Sequence, residues 1–149
     1  MKRILIVLFA AVSLIACNSS DKKTTSTPLT TEEKTKALLD TANFTSIQWP
    51  DSTFRDFGKV KEGEVLEVSF RFINTGDKNL IISDVRPGCG CTDGQKPDEP
   101  IAPGKEGVIK AKFNSKGQHI GEARKNIIVT ANTKPSQTTE LSFKAEVTN

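Results

Sequence analysis

The chain of 149 residues contains one histidine, one tryptophan, one methionine and no tyrosine. With His119 the only imidazole, no Ser/His/Asp arrangement can be assembled with any specificity. A structural zinc site takes four protein ligands and would have to recruit His119, so zinc is set aside. No glycine-rich phosphate loop is present, and no motif points to a small-molecule substrate. An excess of one charge is missing too. With Lys2 and Arg3 assigned to a leader, the 21 basic residues fall to 19 against 18 acidic ones. A net charge of +1 does not supply the concentrated basic surface that nucleic-acid binding needs. Long apolar runs are also absent, and the stretch Ile4–Val12 is too short to cross a bilayer as a stable helix.

What is present begins with that stretch. Met1-Lys2-Arg3, the apolar run and Ser13-Leu14-Ile15-Ala16-Cys17 form a charged n-region, an h-region and a small residue at a cut site, which is a secretory signal over residues 1–16. Leu14-Ile15-Ala16-Cys17 also resembles the bacterial lipobox. That resemblance implies a diacylglyceryl thioether on Cys17 and further acylation, for instance by palmitate. Several acyl chains hold a protein firmly at a membrane surface where a single chain would not. Asn18 replaces the aspartate that retains some lipoproteins at the inner membrane, so the expected address is the outer membrane of a bacterial cell envelope, on its periplasmic or surface face.

Residues 17–43 form the lipidated N-terminus and its continuation. Asn18 to Thr30 is almost wholly polar and reads as a solvated tether. Thr30 and Glu33 stand at capping-box spacing before Ala37, Leu38 and Leu39, so a short helix and a continuing linker are both open for residues 31–43.

Residues 44–149 read as one domain. In Glu64–Asn74 the apolar Leu66, Val68, Phe70 and Phe72 alternate with Glu67, Ser69 and Arg71, the pattern of a strand with one buried face. Shorter runs of this kind occupy Thr45–Trp49, Phe54–Gly58, Leu80–Val85, Ile109–Phe113, His119–Ala131 and Leu141–Val147, and a polar loop is expected between Thr92 and Gly107. About seven strands separated by turn signals, with no long helical period, predict an all-β fold, an immunoglobulin-like antiparallel β-sandwich. A jelly roll or small barrel is the alternative.

Four blocks occur in one order: Phe54-x-x-Phe57-Gly58-x-Val60-x-x-Gly63-Glu64, Phe70-x-Phe72-x-Asn74-Thr75-Gly76, Gly88-Cys89-Gly90-Cys91-Thr92 and Pro100-Ile101-x-Pro103-Gly104. Together, over about Phe44 to Val147, they resemble an uncharacterised family of bacterial envelope lipoproteins with a single immunoglobulin-like domain of unknown function. That family is similar in turn to Hydin-type and major-sperm-protein domains. Those domains act in binding and assembly, and what the resemblance implies for this chain is a fold and an address, with no established activity.

The chemistry is concentrated at Cys89 and Cys91. With Cys17 taken as a thioether, these two remain as a pair in a compartment that favours oxidation. Three readings stay open. The pair could close a small disulfide ring across Gly90, since residues two apart can bring their Cα atoms within disulfide range in a bent turn. Two thiolates could bind a soft metal such as Cu(I). Or the pair could be a structural feature of its loop. Asp84, Asp93, Asp98 and Glu99 lack calcium-loop spacing and read as solvating charges. No base is positioned to activate a nucleophile, so no enzyme is expected and no catalytic residue is assigned. The expected function is a membrane-anchored envelope lipoprotein with a non-catalytic role, binding an unidentified envelope protein. A copper-binding or thiol-redox module built on Cys89 and Cys91 is the alternative.

Overall fold

The computed structural model describes residues 28–149; the signal segment, Cys17 and most of the tether lie outside the described residues. The first element is helix α1 (Thr31–Leu39). Its capping box is complete: Glu33 N donates to Thr30 Oγ1 at 3.3 Å, and Thr30 N donates to Glu33 Oε2 at 2.8 Å. Two orphan amides at the helix start are thereby satisfied. No residue of α1 is fully buried. Lys34, Ala37 and Leu38, one turn apart, are its half-buried face. Gln137 Nε2 donates to Leu38 O at 2.6 Å and ties the helix end to the domain. A short 3-10 turn, Thr41–Asn43, follows.

Eight strands complete the chain: β1 (Ile47–Gln48), β2 (Phe54–Lys61), β3 (Val65–Asn74), β4 (Ile82–Pro87), β5 (Thr92–Gln95), β6 (Glu106–Asn114), β7 (Gly121–Ala131) and β8 (Thr138–Thr148). They form two four-stranded sheets, ordered β1-β3-β6-β5 and β2-β8-β7-β4. The protein is therefore an all-β immunoglobulin-like sandwich. The period-two pattern accounts for most of it. Val68, Phe70 and Phe72 of β3 and Ile109, Ala111 and Phe113 of β6 meet Ile127, Val129 and Ala131 of β7 and Leu141, Phe143, Ala145 and Val147 of β8, all buried. Phe113 and Phe57 both pack edge-on against Phe143, with centroids 5.8 and 6.0 Å away, an arrangement favoured by the ring quadrupoles.

Three details depart from the expected pattern. The pairing is not wholly antiparallel, because β2 runs parallel to β8. β2 follows β1, which belongs to the other sheet, so the chain crosses between layers before it pairs and no hairpin dictates its direction. Within the expected loop from Thr92 to Gly107, Thr92–Gln95 forms the edge strand β5 against β6. Leu80 stands outside β4 and bridges to Ile101 instead.

Two asparagine side chains are buried and organise one end of the sandwich. Asn74 accepts from Thr45 Oγ1 at 2.8 Å and donates from Nδ2 to Lys78 O at 2.7 Å and Ile101 O at 2.8 Å. Asn132 donates to Asn43 O at 2.8 Å and Asn79 O at 3.0 Å and accepts from Ile81 N at 2.7 Å. Each amide thus satisfies backbone groups of several loops at once, which offsets the cost of its own burial.

Candidate functional site

The cysteines lie where the chain changes sheets. β4 ends at Pro87 in one layer and β5 begins at Thr92 in the other, so Gly88–Cys91 is the crossover. Gly88 N donates to Asn126 O at 2.9 Å, which fastens the crossover to β7. A Cβ at Gly88 would meet the exposed side-chain amide of Asn126, which would have to turn aside. On the far side, Asn114 N donates to Cys91 O at 2.9 Å and fastens it to β6. Thr92 N donates to Cys89 O at 3.3 Å across the turn.

Within this turn Cys89 and Cys91 are joined as a disulfide, their Cα atoms 5.3 Å apart. Cys91 packs against the core, while Gly90 at the tip is exposed. Nothing lies within 4 Å of a Cβ placed on Gly90, and its φ is not in the left-handed region. The glycine with a close neighbour is therefore Gly88, ahead of the ring, rather than Gly90 inside it. The Thr92 hydroxyl lies 3.7 Å from Cys89 Sγ and 3.9 Å from Cys91 Sγ. While the two sulfurs are bonded to each other neither is a thiolate, so soft-metal binding would first require reduction. His119 is exposed in the β6–β7 turn. Asp84 is engaged by Arg86 at 3.2 Å, and Asp93 stands opposite Lys112 in the β5–β6 ladder. Among the described residues no group of three His, Cys, Asp or Glu side chains is placed to hold a metal ion. Cys17 lies outside the described residues.

A second feature leaves no mark in the sequence pattern. β1 pairs with β3 only at Ile73 and Asn74. Asn74 N and O bond toward the β6 side, to Lys105 O and Gly104 N, whereas Thr75 N bonds to Ser46 O on the β1 side. Backbone groups alternate along an antiparallel strand, so the odd-numbered residues Val65, Glu67, Ser69 and Arg71 turn their N–H and C=O groups to an edge that no strand among the described residues covers. One of these carbonyls, Ser69 O, accepts from Arg55 Nη1 at 2.8 Å. Where the edge approaches β1, Arg71 and Asp51 form a two-bond pair at 2.7 and 2.8 Å. The hydrogen bonds from Arg71 hold the Asp51 carboxyl below the usual aspartate range. Asp56 is lowered as well, first by the Gly58 N–H and then by Lys144.

Residues 47–147 match the family described as "Protein of unknown function (DUF1573)", and the chain belongs to that family. No curated protein matches it. Among solved structures it is similar to a protein of unknown function from Porphyromonas gingivalis W83, at 18% identity and a TM-score of 0.62, covering 71% of this chain and 48% of that one. It is similar also to the ASH/PapD-like domain 7 of human CEP192, at 12% identity and a TM-score of 0.53, covering 72% of this chain and 88% of that one. The secreted serine protease VesC from Vibrio cholerae contains a similar region, at 14% identity and a TM-score of 0.50, covering 74% of this chain and 24% of that one. The chain thus spans about half of the first of these structures and about a quarter of the protease, and at such identities the likeness concerns the fold alone.

Proposed function

We propose that this member of a family of unknown function is a lipid-anchored protein of a bacterial outer membrane, whose single domain binds another envelope protein without catalysing a reaction. The anchoring half of the reading rests on the sequence: the basic leader, the short apolar run, and Leu14-Ile15-Ala16 before Cys17 with Asn18 after it. The binding half rests on the uncovered edge of β3. A strand edge with free N–H and C=O groups can accept an extended segment of a partner, whose backbone supplies affinity while side chains on the flanking faces supply specificity. Lys112 and Glu67, 3.4 Å apart on the outward face beside that edge, offer paired charges for such selection.

The test is co-purification from envelope extract with the full chain as bait. Glu67→Pro removes a hydrogen-bond donor from the open edge, whereas Glu67→Ala keeps it. Loss of the co-purifying protein with the proline variant and retention with the alanine variant supports strand addition. Equal retention by both removes the β3 edge from the account. For the anchor, Cys17→Ser should move the protein from the membrane fraction to the soluble one.

One observation favours a second reading. Cys89 and Cys91 are bonded to each other beside the exposed tip at Gly90, which is the oxidised form that a thiol-redox module would carry. Reduction followed by titration with Cu(I) tests the thiol and copper forms of this reading together. Free-thiol labelling that copper does not protect, with an unaltered phenotype in a Cys89→Ser, Cys91→Ser variant, removes both.

A further inference from the structure

The face that α1 turns to the domain is not a plain apolar one. Beside Ala37 and Leu38 it carries Lys34, half-buried, and the domain meets it with Lys96, the residue that follows β5. Lys34 and Lys96 border the same groove, where two neighbouring ammonium groups repel and neither can accept a hydrogen bond from the other. Burial first, and then the neighbouring Lys34, push the Lys96 pKa below the usual lysine value.

These two lysines line an open groove of about 490 Å³ between α1, β4 and the segment after β5, together with Thr31, Ser83, Arg86 and Thr130. Three cations therefore converge there from three separate parts of the chain. Asp84 is the opposing charge on β4, already paired with Arg86 at 3.2 Å, and Asp98 acts on Lys96 from the following loop. Both carboxylates act on Lys96 in the opposite sense to Lys34, yet on balance its pKa stays lowered. Hydroxyl donors at Thr31, Ser83 and Thr130 border the same space, although Ser83 Oγ already donates to Thr130 O at 3.0 Å. A tetrahedral oxyanion placed between the ammonium groups would accept charge-assisted hydrogen bonds from both and turn their repulsion into a bridge.

We propose that the groove between α1, β4 and Lys96 is an anion site, in which Lys34, Lys96 and Arg86 hold one phosphate or phosphodiester group. Occupancy does two things at once. It neutralises the like-charge contact, and it fastens α1 to the sandwich, since one of the ligands is on the helix and the others are on the domain. A nine-residue helix is marginal alone, so its docking strengthens as the site fills. The inference is independent of partner binding at β3, whose open edge is on the side of its sheet away from β5. The phosphate can arrive free in solution or as a lipid headgroup at the membrane surface, and both present the same oxygens.

The experiment uses the purified full chain in three arms. First, inorganic phosphate is titrated against the amide resonances at constant ionic strength, with chloride as the balancing anion. Saturable shifts confined to Thr31, Lys34, Thr35, Ser83, Arg86 and Lys96 are expected, with slower amide exchange in α1 as the site fills. In Lys34→Ala, Lys96→Ala the apparent affinity falls at least tenfold, whereas Lys59→Ala, Lys61→Ala on β2, at the opposite edge of the sheet from β4, leaves it unchanged. Second, partition onto phosphatidylglycerol vesicles is compared with partition onto phosphatidylcholine vesicles. Third, the same comparison is made in the double-lysine variant. A phosphatidylglycerol preference that depends on Lys34 and Lys96 identifies a headgroup as the source. Saturable phosphate binding without that preference identifies the free anion. Shifts that do not saturate, or that survive unchanged in Lys34→Ala, Lys96→Ala, overturn the proposal.

Discussion

Replacing both ring cysteines with serine measures what the disulfide contributes to the fold. The ring joins residues two apart, so the loop it closes contains three residues. On the chain-entropy account a closed loop of that size restricts the unfolded chain by about 1.6 kcal/mol at 25 °C. The folded side loses little, because the crossover keeps its other fastenings: Gly88 N to Asn126 O and Asn114 N to Cys91 O are backbone bonds, and both survive the substitution. Cys89→Ser, Cys91→Ser should therefore lower stability by about 1.6 kcal/mol. In urea, with a slope of about 1–3 kcal/mol/M, that is a fall in midpoint of about 0.5–1.6 M at unchanged slope. In a thermal scan of a domain of this size it is a fall of about 6–7 °C. Adding a reductant to the unmodified protein should reproduce the shift, and adding it to the variant should do nothing. An unchanged midpoint would mean that the ring does not constrain the unfolded chain. A loss beyond about 4 kcal/mol would mean that the sulfurs hold the crossover themselves, and the reasoning from its backbone bonds would be wrong.

The same crossover separates its two glycines. Gly88→Ala, which drives a methyl group into the Asn126 amide, should cost about 1–3 kcal/mol in urea unfolding, whereas Gly90→Ala faces open space and should stay within about 0.5 kcal/mol. Asp51, Asp56 and Glu122 all have carboxyl pKa values lowered by their hydrogen-bond partners, Arg71, the Gly58 amide and Arg124 respectively. A lowered folded-state value stabilises above the unfolded-state pKa and is lost as pH falls through the folded one. Urea midpoints should therefore be flat near neutrality and decline below about pH 4, with a shallower decline in Asp51→Asn. Thr30→Ala removes one side of the capping box and should weaken α1 by about 1 kcal/mol. Amide exchange should quicken in α1 while the global urea midpoint hardly moves, because no residue of the helix is fully buried.

The strands that build the core were legible because each has one wet face and one dry face. Val68, Phe70 and Phe72 in β3, and Leu141, Phe143, Ala145 and Val147 in β8, could be assigned to the interior from alternation alone. β5 could not, since Thr92-Asp93-Gly94-Gln95 is a short edge segment with little apolar content; what holds it is the ladder to β6, and ladder partners are not written locally. The parallel β2–β8 pairing escaped for the same reason. Nothing local marks Asn74 and Asn132 as buried, because asparagine favours turns; their burial follows from loops that meet only in the folded chain. At the candidate site, the spacing of Cys89 and Cys91 left a ring, a metal pair and a plain loop all open. The close approach at Gly88 was invisible, because it comes from Asn126 on another strand. The open edge of β3 is likewise a property of what fails to pair with it. Lys34 and Lys96 carry no joint signal at all, being brought together only when α1 lies along β4.

Hydrogen exchange on the full chain, with and without the protein that co-purifies with it, tests partner binding at the β3 edge most directly. The account predicts that the amides of Glu67, Ser69 and Arg71, which point to the uncovered edge, become protected, while the even-numbered amides between them, already bonded toward β6, change little. Protection confined to the β4–β5 crossover or to another face, with the odd-numbered β3 amides exchanging as fast as in the free protein, would contradict it.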